Sequence, residues 1–434
     1  MAMVVKTNMS AVRTLNTLNQ NSTALQKSLT KVASGMKINS AQDDASGYAI
    51  SERMRVRIRS LDQANQNSQN DSALMKTAEG AVSNTIEILK ALKEKAINAA
   101  NDSNTEEDRQ TIQKEVDQFI DQIDDNALVQ FNGKYLVDGS KNNVVSSSKT
   151  ILLNQSLATD TSSGSVLTTL ANRAGDMLEI LSTDKYTVSW INNGVTSTTS
   201  GTVNDATLQS LLELSGIISL TEQTGTSPAT IGTDKFDVQV YTPDKAAGVA
   251  ILAQTAGVTS QISGFTISIT DTDGNVKKAA NAALDQFKQY QRAENQTGDK
   301  ALTFHVGSEA NVAIKVGIGD MRAEALGLKG TTGERILVTT KEFANASINA
   351  IENALTKALD QQTTIGAIEA RLEYTSANLT TSSENVQASE STIRDADMAK
   401  EMTNYTKNNV LLQSAQAMLA QANQNSSAVL SLLQ

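Results

Sequence analysis

The N-terminal segment spaces its apolar side chains as an amphipathic helix does. Over residues 5–34 they recur at steps of three, four or seven among Asn and Gln, which predicts a helix with one narrow apolar stripe. Gly35, which follows soon after Lys31, predicts the C-terminal end of this helix. The stripe comprises Met9, Val12, Leu15, Leu18, Leu25, Leu29 and Val32.

A longer helix is predicted next. The segment 38–44 (INSAQDD) indicates a helix start, with Ser40 as its cap and Asp43 and Asp44 in the first turn, where acidic groups complement the helix dipole. Apolar positions about 3.5 residues apart then continue to near residue 100, which predicts a helix about 90 Å long. Beyond it, Thr105 and Asp108 predict a capping box for a further helix.

The middle of the chain, residues 141–298, has a different composition. Ser, Thr, Gly and Asn dominate, and both prolines and the single Trp of the chain lie here. The segment 185–199 (KYTVSWINNGVTSTT) alternates like two strands around a turn, so we predict a mostly β insert. Asn132-Gly133 predicts a hairpin before the insert, and residues 301–318 predict a strand pair after it.

Heptad spacing returns in the C-terminal part. From about Lys341 seven apolar residues stand seven apart, as one position of a coiled coil does, while the partner position is mostly polar or small. This thin seam suits a slender helical bundle. A last helix is predicted from Met402. The heptad residues are Ile351, Ala358, Ile365, Leu372, Leu379, Val386 and Ile393.

These elements are nested. We predict a mostly α fold in which helices from both termini pair as antiparallel coiled coils, with a β-rich outer insert (α+β overall). The expected domains are residues 1–40 with 395–434, residues 41–140 with 299–394, and the insert 141–298.

The chain ends on apolar side chains that no further residues follow, so we expect neighbouring copies to bury them. We therefore expect a terminal coil that is completed by self-assembly. Its residues are Val12, Leu15, Leu18, Leu25, Leu29, Val32, Leu411, Met418, Val429, Leu430, Leu432 and Leu433.

The net charge of the chain narrows the classes of partner that are expected. The formal net charge of -10 argues against nucleic acid in general, and the alternating arginines of residues 53–59 point around a helix rather than along one side of it. We interpret them as intersubunit contacts with a complementary acidic cluster. The candidate pairing residues are Arg53, Arg57, Asp395, Asp397 and Glu401.

Catalysis and cofactor binding are not expected. His305 is the single histidine and is interpreted as a strand residue, and the chain has no cysteine for a thiolate metal site. The start of the chain lacks a cleavable leader, and no apolar run reaches the ~20 residues of a membrane helix. The protein is therefore expected either in the cytosol or outside the cell by a route that reads no such leader.

Three segments resemble the bacterial flagellin family. Its N-terminal signature is similar to SLTKVASGMKINSAQDDASGYAISERMR (28–55), and its C-terminal signature to SSENVQASESTIRDADMAKEM (382–402) and QAMLAQANQNSSAVLSLLQ (416–434). The resemblance covers about residues 4–140 and 300–434, and the middle is only loosely similar.

The resemblance implies a structural subunit that assembles head-to-tail into the hollow flagellar filament for swimming. It implies export, unfolded, through the flagellar type III apparatus, with residence outside the cell. The implied partners are other copies of this chain, an export chaperone, the filament cap and the hook-junction proteins. No cofactor, nucleic acid or membrane partner is implied.

One segment of this chain departs from the family pattern. Many flagellins carry a helical stretch that an animal Toll-like receptor recognises, and LKALKEKAI (89–97) is similar to it, but Ala91 replaces an arginine and Lys95 a leucine. We therefore expect weak signalling. The apolar C-terminal residues Val429, Leu430, Leu432 and Leu433 match the family segment read by an intracellular inflammasome sensor. The receptor-facing residues are expected to be Leu89, Lys93, Glu94 and Glu115.

Other classes remain open from the sequence. Paired terminal coils also occur in hook–filament junction proteins. Heptads alone are equally typical of a coiled-coil adaptor or a secreted pore-forming helical protein. Neither of the last two explains the long terminal motifs.

Overall fold

The chain forms two compact units. The computed structural model describes residues 8–213, 218–223, 230–241 and 247–432. One unit takes Met1–Asn67, Val306–Val312 and Thr375–Gln434, and the other takes Ser68–His305 and Ala313–Tyr374. The three-domain division expected from composition stays a prediction.

The described elements are mostly helical, with strands concentrated in the middle of the chain, which confirms the predicted fold class. The helices are α1 (Met9–Ser34), α2 (Ala45–Ala99), α3 (Glu106–Ala127), α4 (Leu208–Glu213), α5 (Lys278–Leu284), α6 (Ala323–Leu326), α7 (Lys341–Arg394) and α8 (Met398–Leu432). The strands are β1 (Gln130–Phe131), β2 (Lys134–Tyr135), β3 (Ile151–Asn154), β4 (Lys185–Asn192), β5 (Val195–Thr202), β6 (Ile218–Gln223), β7 (Thr230–Thr233), β8 (Gln239–Tyr241), β9 (Gly248–Ala253), β10 (Ile262–Thr270), β11 (Lys288–Gln291), β12 (Leu302–His305) and β13 (Ala313–Val316).

The ends of α1 and α2 follow from local capping. Gly35 ends α1 as predicted: it adopts φ +70°, and its N–H bonds to the carbonyl of Lys31. The predicted start of α2 is wrong by several residues. Asp44, not Ser40, accepts the N–H groups of Ser46 and Gly47 (both 3.0 Å), so α2 begins at Ala45.

Asp43 serves the turn before α2 instead of its first turn. Its carboxylate accepts the N–H groups of Asn39 (3.2 Å) and Ser40 (3.1 Å). Burial opposes the ionised form, but these hydrogen bonds outweigh it and lower the pKa of Asp43. The two acidic residues therefore divide the capping of one chain reversal between them.

The heptad seam of α7 is confirmed. Ile351, Ala358, Ile365 and Leu372 are fully buried in the second unit. In the first unit, Leu379 packs with Leu61 and Ala64 of α2. At two polar positions of the seam, hydrogen bonds join α7 to α2. The hydroxyl of Ser376 donates to Asn65 (2.5 Å), and that of Ser383 donates to Asp62 (2.9 Å). The seam is thin, as its sequence predicts, because apolar side chains fill only one of its two positions.

The capping box of α3 and the predicted hairpins are confirmed. The hydroxyl of Thr105 accepts the N–H of Asp108 (3.2 Å), and the Asp108 carboxylate accepts the N–H of Thr105 (3.0 Å). Asn132 and Gly133 both adopt positive φ between β1 and β2, as a two-residue hairpin turn requires. His305 ends β12 and pairs with Ala313 of β13.

Two antiparallel sheets enclose the core of the insert. One has the strand order β10-β4-β5 and the other β11-β3-β9-β6. Leu152 and Ile251 from the second sheet share a buried cluster with Trp190 and Phe265 from the first. Phe265 meets the ring of Phe287 edge-on, with centroids 5.2 Å apart.

Helix α7 covers the open edge of β10. The side-chain amides of Asn349 and Asn353, one turn apart, donate to the β10 carbonyls of Phe265 (3.0 Å) and Ser263 (2.8 Å). Between those residues, Gly264 lets the helix approach: a β-carbon there would lie 2.2 Å from the carbonyl oxygen of Ala346. The sheet is thus fixed to α7 by backbone contact.

The substitution Gly264→Ala should lower the free energy of unfolding of the second unit by about 1–3 kcal/mol, because the added methyl group overlaps α7. Gly366→Ala is the matched control. Gly366 lies inside α7 with no atom near its added methyl, so alanine should stabilise by about 0.5–1 kcal/mol. Urea unfolding of both variants measures the difference, and equal midpoints would contradict the packing described.

Candidate self-assembly surface

The candidate surface lies on the pair formed by α1 and α8, within the first unit. The amide of Asn8 donates to the carbonyl of Ala422 (3.1 Å) and that of Asn21 to the carbonyl of Leu411 (3.2 Å). Nearer the other end, Asn408 donates to the hydroxyl of Ser28 (3.1 Å). Since the partners run in opposite directions along the sequence, the two helices are antiparallel.

The contact between the two helices buries little apolar surface. Among the described side chains of α1 and α8, those that are buried are Ser28, Ala415 and Ala422. These are small or polar, and amide-to-backbone hydrogen bonds supply much of the remaining contact. Such a pair removes far less apolar area from water than a leucine seam would.

The expected single stripe of α1 is divided between two surfaces, so that prediction is wrong. Leu18, Leu25 and Val32, seven residues apart, are half-buried. The other apolar residues of the stripe are exposed, with Leu15 at 45% and Leu29 at 51%. The sequence of α1 alone does not determine which of its sides faces α8. In the structure, α8 covers only the flank of the stripe that carries the half-buried residues. The remaining exposed members are Met9 and Val12.

Helix α8 also presents apolar side chains outward. Leu411 and Met418 stand seven apart and are exposed by 41% and 63%. Further exposed apolar residues of α8 are Met398, Met402 and Val410. Val429, Leu430 and Leu432 belong to α8, but their side chains lie outside the described residues, as does Leu433 altogether.

A clamp joins the turn after α1 to the turn before α8. The backbone N–H of Lys37 bonds to the carbonyl of Arg394 (2.8 Å), and that of Ala396 to the carbonyl of Gly35 (2.9 Å). Met36 and Asp395 form a single antiparallel bridge there. Helix α1 therefore ends, and helix α8 begins, at one fixed point.

Arg394 is the central side chain of this clamp. It is 6% exposed, and its guanidinium donates to Glu52 (2.7 Å), approaches the sulfur of Met36 (3.1 Å) and lies over the ring of Tyr48 (5.6 Å to the centroid). Sequence reasoning missed it. The signal available was an arginine next to the last apolar residue of the heptad series, Ile393.

The proposed charge cluster is placed as follows. Arg53 and Arg57 are exposed, and neither forms an ion pair within the described chain. Asp395 accepts the hydroxyl of Ser391 (2.6 Å), and Asp397 accepts the N–H groups of Ala399 and Lys400 at the start of α8. Glu401 accepts the amide of Asn404 (3.4 Å). Asp397 thus caps α8, the other two acidic residues have local side-chain partners, and the pairing of all three with the arginines stays a prediction.

The receptor-like segment lies in the second unit, and one of its expected contacts is wrong. Leu89 is fully buried and has no side-chain surface to offer a receptor. Lys93 pairs with Glu352 (3.1 Å), and Lys95 forms an ion pair with Glu115. Glu94 is exposed. Lys95 therefore occupies the one acidic partner that α3 supplies to this segment.

Other site classes find no support in the described residues. Their His, Asp and Glu side chains form no group of three or more that is able to hold a metal ion. No described helix combines the length and the apolar character that crossing a membrane requires.

Both helical ends match family models. The N-terminal helical region of bacterial flagellin matches residues 5–142, and the C-terminal helical region matches residues 348–433. These regions contain the paired helices and the clamp, and they define a structural protein of the flagellar filament.

Whole-length relatives agree. The chain is 34% identical to a flagellin of Clostridium tyrobutyricum, covering 97% of this chain and 99% of the relative. It is 29% identical to a flagellin of Bacillus subtilis strain 168, covering 99% and 100%. The chain belongs to the bacterial flagellin family. A solved hook-associated protein-3 from Legionella pneumophila is similar at 16% identity, with a TM-score of 0.33 over 78% of this chain and 97% of that one.

The clamp should weaken in acid. The hydrogen bond from Arg394 holds the pKa of Glu52 below its ordinary value of 4.5. A carboxyl group with a lowered pKa stabilises the fold above its unfolded pKa, and that stabilisation is lost as the pH falls through its folded pKa. Glu52→Gln should therefore melt below the parent at neutral pH, and the difference should shrink below about pH 4.

Glu384→Gln is the matched control, because Glu384 is an exposed residue of α7 in the same unit. It should leave the melting temperature nearly unchanged at every pH. Circular dichroism melts of the three proteins provide the measurement. A Glu52→Gln difference that stayed constant from neutral to acid pH would rule out the charged clamp.

Proposed function

We propose that this flagellin self-assembles head-to-tail into the hollow helical filament by burying the outward apolar side chains of α1 and α8 against other copies. The observation that carries this is the small buried set of the terminal pair, Ser28, Ala415 and Ala422. A pair with so little internal burial is marginal by itself. Its exposed flank offers the surface that neighbours need.

The energetic argument uses the exposed residues of the two helices. Full burial of a Leu, Val or Met side chain stabilises by about 1.5–3 kcal/mol. Leu15, Leu29, Leu411 and Met418 each retain between 41% and 63% of their surface for such burial. Repetition of this small gain at every subunit offsets the entropy lost on ordering the helices.

The open geometry of a filament needs two different complementary faces, because contacts between identical faces close into dimers. The exposed arginines Arg53 and Arg57 suit one face, and Asp395, Asp397 and Glu401 suit the other. Exposed pairs contribute little energy each, so we assign them to register between copies rather than to affinity.

We also propose export of the unfolded chain through the flagellar type III apparatus to an extracellular filament. The thin terminal pair supports this, since it has little packing to undo, and a chain without cysteine cannot cross-link during passage. An export chaperone for the exposed apolar face of α8, the filament cap and the hook-junction proteins are the proposed partners beside the chain itself.

Loss of outward apolar surface should block polymerisation. Leu29→Ser and Met418→Ser should each raise the critical concentration for seeded filament growth at least about tenfold, which corresponds to about 1.4 kcal/mol per contact. Sedimentation of filaments after seeding gives this concentration, and the circular dichroism of the monomer should stay unchanged.

Gln26→Ser serves as the control, because it removes an exposed polar side chain from α1. It should polymerise like the parent. Normal growth of both apolar variants would contradict the proposed surface.

Recognition by the Toll-like receptor is proposed to be weak, and recognition by the inflammasome sensor is proposed to persist through residues 429–433. The double substitution Ala91→Arg with Lys95→Leu should increase reporter-cell signalling by monomer, because it supplies the missing cation and frees Glu115. The parent protein at equal concentration is the reference. A full-strength response from the parent would contradict the expectation.

A further inference from the structure

A polar cavity of about 410 Å³ lies within the second unit, apart from the assembly surface. One wall is a face of α7 that carries Lys357, Gln361 and Thr364 at helical spacing. The opposite walls come from the chain that follows β11 and from the chain that follows β13. The second of these contributes Gly317 and Gly319, where the backbone lies close to neighbouring side chains.

Lys357 is buried at the wall of this cavity. It is 9% exposed, and its ammonium group donates to the carbonyl of Ala325 (2.8 Å), which uses one of its three hydrogens. It forms no ion pair with any described residue. Burial lowers its pKa to about 8, while Glu294 and Asp320 raise it and Arg292 and Lys235 lower it further.

A second cation lies beside it. The guanidinium of Arg292 is partly buried, and within the described chain it makes neither a hydrogen bond nor an ion pair. Gln361 accepts the N–H of Gly319 (3.1 Å) through Oε1, and its Nε2 is closed off from the cavity.

The acidic residues of the cavity form no hydrogen bond with the side chains of Lys357 or Arg292. Asp320 is held by the guanidinium of Arg322 (3.0 and 2.6 Å), and Glu294 pairs with Lys235 (3.7 Å). Asp138 accepts the N–H of Ser140 (2.9 Å). The fourth acidic residue, Asp360, is exposed, and together with Glu294 it favours the charged form of Arg292. Two hydrogens of Lys357 and the guanidinium of Arg292 therefore remain for a further acceptor.

We propose that this cavity binds a small oxyanion, such as sulfate, phosphate or a carboxylate, through Lys357 Nζ and the Arg292 guanidinium. Both cations line the cavity, and both side chains form charge-assisted hydrogen bonds with such anions in proteins. The proposal does not depend on the mode of filament assembly.

Isothermal titration calorimetry of the full-length monomer tests the site, with sulfate and acetate as probes at ionic strength fixed with sodium chloride. One saturable site is expected for at least one probe. Lys357→Met should weaken it at least tenfold. Lys341→Met is the control, because Lys341 pairs with Asp102 outside the cavity, and it should bind like the parent.

The pH dependence gives a readout that does not rely on variants. Sulfate keeps its charge from neutral to alkaline pH, whereas Lys357 loses its proton near pH 8. The sulfate affinity should therefore fall about tenfold or more between about pH 7 and about pH 9.5. Absence of saturable binding by either probe, equal binding by Lys357→Met, or an affinity that does not change with pH would each overturn the proposal.

Discussion

The structure depends on how little apolar surface the two terminal helices bury against each other. Their seam is built from alanine, serine and asparagine amides that reach across to the opposite backbone, as Asn8 and Asn21 do. Hydrogen bonds of this kind replace bonds to water and add only about 1 kcal/mol each. Stability comparable to that of an ordinary core is therefore available to the pair only when other molecules cover its exposed flank.

The rest of the chain supplies what the pair lacks. The clamp around Arg394 fixes the point at which α1 ends and α8 begins, and it uses residues 36, 48 and 52 from the N-terminal part of the chain. In the second unit, α7 is fixed to the sheet edge through Asn349 and Asn353. Each unit therefore has fixed contacts of its own, and the assembly surface can remain unfinished without loss of the fold.

Local rules could be read from the sequence because adjacent residues decide them. The stop at Gly35, the capping box at Thr105 and the turn at Asn132-Gly133 each depend on a few neighbouring groups. The start of α2 was predicted wrongly because Ser40, Asp43 and Asp44 are all residue types that cap helices. In the structure Asp44 caps α2, while Asp43 accepts the N–H of Ser40 in the preceding turn. The sequence alone does not show which of these residues caps α2.

Contacts between residues that are distant in the sequence could not be predicted from such local rules. The phase of α1 is set by α8, so one predicted stripe becomes two surfaces. Leu89 faces the core rather than a receptor, although its place in the motif suggested otherwise. Arg394 and Lys357 find their partners at distant positions of the chain, which no local pattern indicates.

Amide hydrogen exchange tests the central claim most directly, by comparison of α1 and α8 in the monomer and in the assembled filament. The account predicts rapid exchange of both helices in the monomer, strong protection in the filament, and little change in α7 of the second unit. Equal, strong protection of α1 and α8 in the monomer would show that the pair is complete by itself and would contradict the account.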